Sequence, residues 1–156
     1  MGAMNSPEDP NTVIVQHQRG AYTLCTDTSK LDQELIHDFL CNHAYWSIGR
    51  TKEAVQKSID HSLCFGVYVG ENQVGFARVV TDYTTIAWIC DVFILESHRR
   101  QGLGKWLLSC VIEHPEIRHV RRFMLATRDT HDLYQKNADF QPLSNPERWM
   151  ERFPNN

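Results

Sequence analysis

No apolar run in this chain of 156 residues approaches the roughly 20 residues a membrane-spanning helix needs. No signal peptide, internal repeat or low-complexity linker is visible. Charge of one sign is also lacking: 16 Lys and Arg against 19 Asp and Glu leave a net charge of −3. Such a surface has no electrostatic footprint for nucleic acid, and the densest basic stretch, Arg118 to Arg122, is short. The five cysteines, Cys25, Cys41, Cys64, Cys90 and Cys110, include no Cys-x-x-Cys pair. A zinc knuckle is therefore unsupported, and no metal is expected. Widely spaced, odd in number and partly inside apolar runs, they read as reduced core residues of a cytoplasmic protein with no membrane attachment.

What remains is an ordinary globular balance, 42% hydrophobic and 22% charged, sized for one core. Residues 1–12 are polar and hold Pro7 and Pro10. They read as a disordered N-terminal segment or a remnant ahead of Met4, and 13–156 as a single domain. Ala21 to Cys25 reads as a first strand that could begin at Val13. Ser29 and Asp32 resemble a capping box opening a helix with Leu31, Leu35, Ile36, Phe39 and Leu40 on its apolar side. After a break at Tyr45 to Arg50, Thr51 caps a second helix reaching Asp60. Leu63 to Val69 and Gln73 to Thr81 are strands joined by a turn at Gly70. Ile86 to Leu95 is a long apolar run, expected as a central strand buried on both faces. Leu103, Trp106, Leu107, Cys110 and Val111 recur at helical spacing, and Pro115 ends that helix. Phe123 to Thr127 is a further strand, Asp132 to Ala138 a short helix, and Arg148 to Phe153 a last strand. The expected architecture is α/β (α+β): a mixed central sheet of six or seven strands flanked by about four helices.

The chemistry concentrates where the long strand ends. Ile94-Leu95-Glu96-Ser97-His98-Arg99-Arg100-Gln101-Gly102-Leu103-Gly104-Lys105 runs from a strand through a polar loop into an amphipathic helix. A helix start of this kind presents unpaired amides and the positive end of a dipole, a site suited to a pyrophosphate. Gly102 and Gly104 let a ligand approach the backbone closely. Arg99, Arg100 and Lys105 add charge, each charge-assisted bond being worth about 1.5–3 kcal/mol. A dinucleotide fingerprint would want a third glycine where Leu107 stands, and a P-loop would want Ser or Thr where Trp106 stands. From the glycines alone, a ligand-free tight turn remains open.

Arg99 to Gly104 resembles the R/Q-x-x-G-x-G/A signature of the GNAT acetyltransferases. Leu125-Ala126-Thr127-Arg128-Asp129-Thr130-His131-Asp132-Leu133-Tyr134-Gln135-Lys136 is similar to that family's segment in which a strand leads to a short helix with a Leu-Tyr pair. Gly75-Phe76-Ala77-Arg78 resembles its third strand. Together the likeness covers residues 20 to 153. It implies that backbone groups of Arg100, Gln101, Gly102, Leu103, Gly104 and Lys105 hold the CoA pyrophosphate, with help from Arg99. Phe93 and Ile94 would bond the pantetheine arm, an amide of one polarising the acetyl carbonyl. Thr127 and Lys136 would touch CoA, and Tyr134 would protonate the departing thiolate. The family's usual glycine after this helix is missing, so Asn137 or Asp139 must serve any left-handed cap.

The implied reaction moves acetyl from acetyl-CoA, a co-substrate, to a primary amine by direct attack in a ternary complex. A lysine-like amine is protonated at neutral pH, and freeing it costs about 4.6 kcal/mol, so a base or water relay matters. Tyrosine, with an ordinary pKa near 10, is protonated and available as the acid. Asp91, which interrupts an apolar strand, is the base candidate. The opposing reading makes it a structural partner of Arg78. Glu96 and His131 are lesser candidates. Tyr45, Trp46 and Arg50 lie where the resemblance puts the acceptor pocket, and the aromatic pair could hold a cation or simply fill core. Asp82 and Tyr83 are placed at its edge. The acceptor is a small-molecule or protein amine, and the protein a monomer or homodimer. The alternative function is a non-catalytic CoA-binding sensor or interaction module.

Overall fold

The computed structural model describes residues 13–154, and the expectations for residues 1–12 lie outside them. One compact unit runs to Ala126 and a second begins at Thr127. The first holds β1 (Gln16–Arg19), β2 (Tyr22–Cys25), α1 (Gln33–Asn42), α2 (Lys52–Asp60), β3 (Leu63–Val69), β4 (Asn72–Thr81), β5 (Ala87–Ile94), α3 (Leu103–Ile112) and β6 (Phe123–Met124). The second holds α4 (His131–Ala138) and a single 3₁₀ turn at Pro146–Arg148. The mixed α/β class expected from the sequence is the one observed, with six strands and four α-helices among the described residues.

The strands lie in chain order, antiparallel except for the β5–β6 pair. The strand expected over Ala21 to Cys25 is β2, but the chain before it, where that strand could have begun, is a separate strand, β1, and the two form a hairpin. Gly20 takes φ +57, a value open to glycine at no steric cost, so Arg19 pairs with Tyr22 across a two-residue turn. The Ser29–Asp32 capping box is not formed. Asp27 caps a short 3₁₀ turn at Thr28–Lys30, and Asp32 is itself the N-cap of α1, accepting from Leu35 N–H at 3.0 Å. Thr51 caps α2 as expected. No strand forms over 148–153. Arg148 ends a 3₁₀ turn begun at Pro146, and the exposed residues after it have no regular structure, since the apolar residues there alternate too weakly to bury a face.

Helices α1 and α2 cover one face of the sheet. Ile36, Leu40, Val55 and Ile59 pack there on Cys64, Phe76 and Phe93, each large apolar side chain contributing about 1.5–3 kcal/mol. Phe39 stacks on Phe93 with centroids 3.9 Å apart. Helix α3 lies against β3 and β5 and buries Leu103, Leu107, Leu108, Cys110 and Val111. Strand β5 is not central, as its apolar run implied. It is next to the edge, beside a β6 that pairs with it only at Ala87–Phe123 and Trp88–Met124. The partial exposure of Trp88, Cys90 and Val92 follows from that position. In the second unit, Asp139 takes φ +55 and caps α4 in the left-handed conformation, filling the role of the missing glycine as the sequence required.

Candidate functional site

Strand β5 carries two constellations. At its C-terminal end, Leu95 N–H donates back to Val74 O at 2.8 Å. Strand alternation then turns the Ile94 amide toward the opposite edge, away from β4. Among the described residues β6 pairs with β5 only as far as Trp88, so that edge has no strand partner beyond it. Arg99 reaches back and donates through Nε to the Ile94 carbonyl at 2.9 Å, tying the loop to the strand end.

The loop then makes two left-handed steps, Arg100 at φ +64 and Gly102 at φ +76, and enters α3. Gly102 is the N-cap and supplies no side-chain cap. The first backbone bond of the helix runs from Trp106 N–H to Gly102 O at 3.0 Å. The amides of Leu103, Gly104 and Lys105 precede it and form an uncapped, electropositive helix start. A Cβ on Gly104 would meet nothing within 4 Å beyond its own turn of helix, whereas one on Gly102 would come 3.0 Å from an Arg19 terminal nitrogen. The two glycines therefore differ: Gly102 serves the backbone turn, and Gly104 leaves open space above the helix start.

Sequence reasoning missed what braces this loop. Arg19 donates to Gly102 O at 2.8 Å. Tyr22 donates to Gln101 Oε1 at 3.2 Å and shares a 3.0 Å hydrogen bond with His98 Nδ1. Both residues come from the β1–β2 hairpin, about eighty positions earlier. No local pattern announces such a contact, and the sequence shows the second strand of the hairpin without marking the first as separate.

The second constellation surrounds Asp91. The β4–β5 register shifts between Phe76 and Arg78, so two residues of β5 oppose one of β4. This is a bulge, and Asp91 occupies it at φ +51. Its buried carboxylate accepts three donors: Trp46 Nε1 at 2.9 Å on Oδ1, and Arg50 at 2.9 Å and Arg78 Nε at 2.7 Å on Oδ2. The ion pair with Arg78, the alternative named for Asp91, is present, with Arg50 beside it. Arg78 also donates to Ser62 Oγ at 3.0 Å.

The α1–α2 connection delivers Trp46 and Arg50. Ser47 is buried and donates to Leu40 O at 2.7 Å. Gly49 turns the chain at φ +81, and His37 Nε2 donates to Arg50 O at 3.1 Å. The rings of Tyr45 and Trp46 meet edge-on at 5.2 Å and are each 42% exposed. They do not fill core.

Cys64 and Cys90 flank Arg78 in register across three strands. Burial pushes their thiols up to about 12 and about 11, against the opposing pull of Arg78. Neither supplies a useful thiolate at neutral pH. Asp82, placed by sequence at a pocket edge, closes the β4–β5 turn. It accepts from the amides of Thr84, Thr85 and Ile86 and from the Thr85 hydroxyl. Those bonds, the Thr85 hydroxyl first, hold it well below the usual carboxylate range. Glu96 opens a short 3₁₀ turn after β5.

In the second unit, Thr127 Oγ1 bonds the Thr130 hydroxyl at 2.6 Å and accepts from Thr130 N–H at 3.2 Å, just before α4. His131 is the first residue of α4, and Lys136 pairs within that helix with Asp132 at 3.3 Å. Tyr134 is buried, its ring edge-on to Phe140 at 5.7 Å.

The sequence profile of the acetyltransferase (GNAT) family matches residues 29–140. A Gibberella zeae protein, FG08082, provisionally named an acetyltransferase, is 31% identical over 76% of this chain and 78% of its own length. The crystal structure of a protein from Xanthomonas campestris pv. campestris, provisionally named an acetyltransferase of the GNAT family, superposes with a TM-score of 0.82. It is 44% identical, covering 85% of this chain and 93% of that one. A GNAT family acetyltransferase from Elizabethkingia anophelis with acetyl-CoA bound shares the fold, at 18% identity and a TM-score of 0.58 over 76% of this chain and 75% of that one. With a family profile spanning most of its length and a close structural relative of the same kind, this chain belongs to the GNAT acetyltransferase family.

Proposed function

We propose that this protein moves the acetyl group of acetyl-CoA to a primary amine by direct attack in a ternary complex, with 13–156 acting as one acyltransferase domain. GNAT acetyltransferases use acetyl-CoA, and the Elizabethkingia anophelis protein holds it. The observation that carries the reading is the uncapped start of α3 beneath open space at Gly104, next to a β5 edge without a strand partner. The first suits a diphosphate, because amides and a helix dipole favour an anion without any side chain. The second suits an extended amide-bearing arm, which can bond a free strand edge as another strand would.

In this proposal the amides of Leu103, Gly104 and Lys105 hold the pyrophosphate, with the backbone of Arg100, Gln101 and Gly102 shaping the approach. Of the two candidate amides at the strand end, that of Ile94 rather than Phe93 polarises the thioester carbonyl, because Leu95 and Phe93 share the β4 side. The Cys64 and Cys90 thiols are too basic to carry the acyl group, which favours direct attack. Asp91 is better suited to positioning than to proton abstraction, since three donors already occupy its oxygens; a water relay would then deprotonate the amine. Tyr134 is the acid that returns a proton to the CoA thiolate, a role that rests on the resemblance of its segment.

Tyr134→Phe tests the reading. Turnover on an accepted amine should fall about 10²- to 10⁴-fold, the usual range for a lost acid, while calorimetry finds the same acetyl-CoA affinity. Unchanged turnover would remove Tyr134 from the mechanism, and failure of the wild-type protein to bind acetyl-CoA would remove the mechanism itself.

A further inference from the structure

The Asp91 constellation is not charge-balanced. Two guanidinium groups, which stay charged at any ordinary pH, face one carboxylate. Asp91 is 1% exposed at its side chain, Arg78 13% and Arg50 25%. Asp60, close enough to act on Cys64, is held by Gln56 at 2.7 Å and does not bond either arginine. Among the described residues Arg50 gives its guanidinium one acceptor and Arg78 finds two. Each has five N–H donors. One positive charge is in excess, and no guanidinium nitrogen of Arg50 or Arg78 is both buried and unpaired, so the donors without a protein acceptor are open to an anion, to which they would bond with charge assistance.

Exposed apolar surface adjoins the cluster. Trp46 spends its indole N–H on Asp91, which fixes the ring and leaves its surface outward. Tyr45 stands edge-on to it, and Ile48 two residues on is 74% exposed. Asp91 precedes Phe93 by two residues, a reach of at most about 7 Å even in extended chain, so the cluster lies close to the strand end where the thioester is proposed. Phe93 and Asp91 face the same helices: Phe93 stacks on Phe39 of α1, and Asp91 bonds the α1–α2 connection.

We propose, resting on the acyltransferase reading above, that the acceptor is an amino carboxylate with an apolar body. Its carboxylate completes the Arg50–Asp91–Arg78 cluster, Tyr45, Trp46 and Ile48 receive its side chain, and its amine points toward the end of β5. A polycation is the wrong acceptor for this site, because its second charge would meet Arg50 rather than a free carboxylate.

The test offers the wild-type protein and acetyl-CoA the twenty protein amino acids, each against its decarboxylated amine, and reads CoA release. An amino acid with an apolar side chain should exceed its decarboxylated partner in kcat/KM by about tenfold or more, the worth of one charge-assisted bond. Arg50→Gln should erase that preference by raising the KM for the acid, with the acetyl-CoA dissociation constant unmoved, and Arg50→Lys should restore part of it. Equal or better use of the decarboxylated amines overturns the proposal while the acyltransferase reading stands. Calorimetric titration of the same acids into the acetyl-CoA complex and the free protein separates the remaining cases. Binding of an apolar amino acid that Arg50→Gln weakens, without transfer to any amine, keeps the carboxylate site and removes the acyltransferase. No binding of any amino acid in either form overturns the carboxylate site.

Discussion

The start of α3 and the Asp91 cluster stand at two ends of the same few residues of β5, yet they are built from opposite materials. The first is main chain: amides 103 to 105, two left-handed steps and a glycine with space above it. The second is side chain: one carboxylate, two guanidinium groups and an indole drawn from the α1–α2 connection, β4 and β5. A main-chain site tolerates changes of side chain but not an added Cβ where the ligand approaches. A charge cluster tolerates changes around it but not the loss of one member, because the charge left behind remains away from water. The two should therefore fail in different ways, one in ligand affinity and the other in stability.

The largest effect is expected at Asp91. Asp91→Asn keeps the shape and tolerates φ +51 as aspartate does, so it isolates the charge. It leaves Arg50 and Arg78 without their shared counter-ion. Breaking a buried pair costs about 3–5 kcal/mol, and the partial exposure of Arg50 puts the loss near the lower figure. For a chain of this size Tm should fall by on the order of 10 °C, read by thermal denaturation at pH 7.5. The affinity for acetyl-CoA of the folded variant at low temperature should stay close to that of the parent. A Tm shift below about 2 °C would mean that the cluster does not hold the α1–α2 connection, and the contrast between the regions would fail.

The same contrast explains what could be read from the residues alone. The start of α3 was legible because all its parts lie within a dozen consecutive positions, strand, loop, glycines and helix face, and local chemistry dictates what such a run does. The Asp91 cluster was legible only in pieces. An aspartate in an apolar strand demands a partner, and Arg78 was named as one. Nothing local said that Trp46 and Arg50 would arrive at the same carboxylate, because a loop pinned by Ser47, Gly49 and His37 brings them there. The hairpin at Gly20 and the bracing by Arg19 and Tyr22 were missed for the same reason. The strand expected over 148–153 failed differently: Trp149, Met150 and Phe153 are exposed, and a strand needs a half-buried pleated surface that such exposed positions do not offer.

A smaller effect, on affinity, is expected at the main-chain site. Gly104→Val adds a side chain where nothing beyond its own turn of helix lies within 4 Å of the new Cβ, and Gly104 has no left-handed φ to protect. The fold should keep its Tm within a few degrees. Acetyl-CoA affinity by calorimetry should fall at least about tenfold, or 1.4 kcal/mol, because the branch fills the space above the amides. Arg100→Ala and Lys105→Ala should each cost less than Gly104→Val if backbone rather than side-chain charge holds the diphosphate. A larger loss from either alanine variant would transfer the site from main chain to side chain and make the two regions alike.

The smallest effect sets the baseline on which both are measured. His114 follows α3 with 1% exposure, its ring edge-on to Phe65 at 5.5 Å and Nδ1 accepting from Glu116 N–H at 3.2 Å. Nε2 therefore carries the ring proton of the neutral form, and it has no hydrogen-bond partner. Burial, with a smaller push from His17, holds the imidazole below its ordinary 6.5. The unfolded chain then binds a proton that the folded one refuses, so stability is complete above about pH 6.5 and declines as pH falls toward the lower folded value. The slope cannot exceed about 1.36 kcal/mol per pH unit for one such group. His114→Asn keeps an acceptor for Glu116 and removes the titration, so denaturation midpoints followed between pH 7.5 and 5 should lose part of their slope even if the variant is less stable throughout. An unchanged slope would assign the acid sensitivity to other groups. The loss at Asp91 is therefore read most cleanly above pH 7, where His114 is neutral in both folded and unfolded chains.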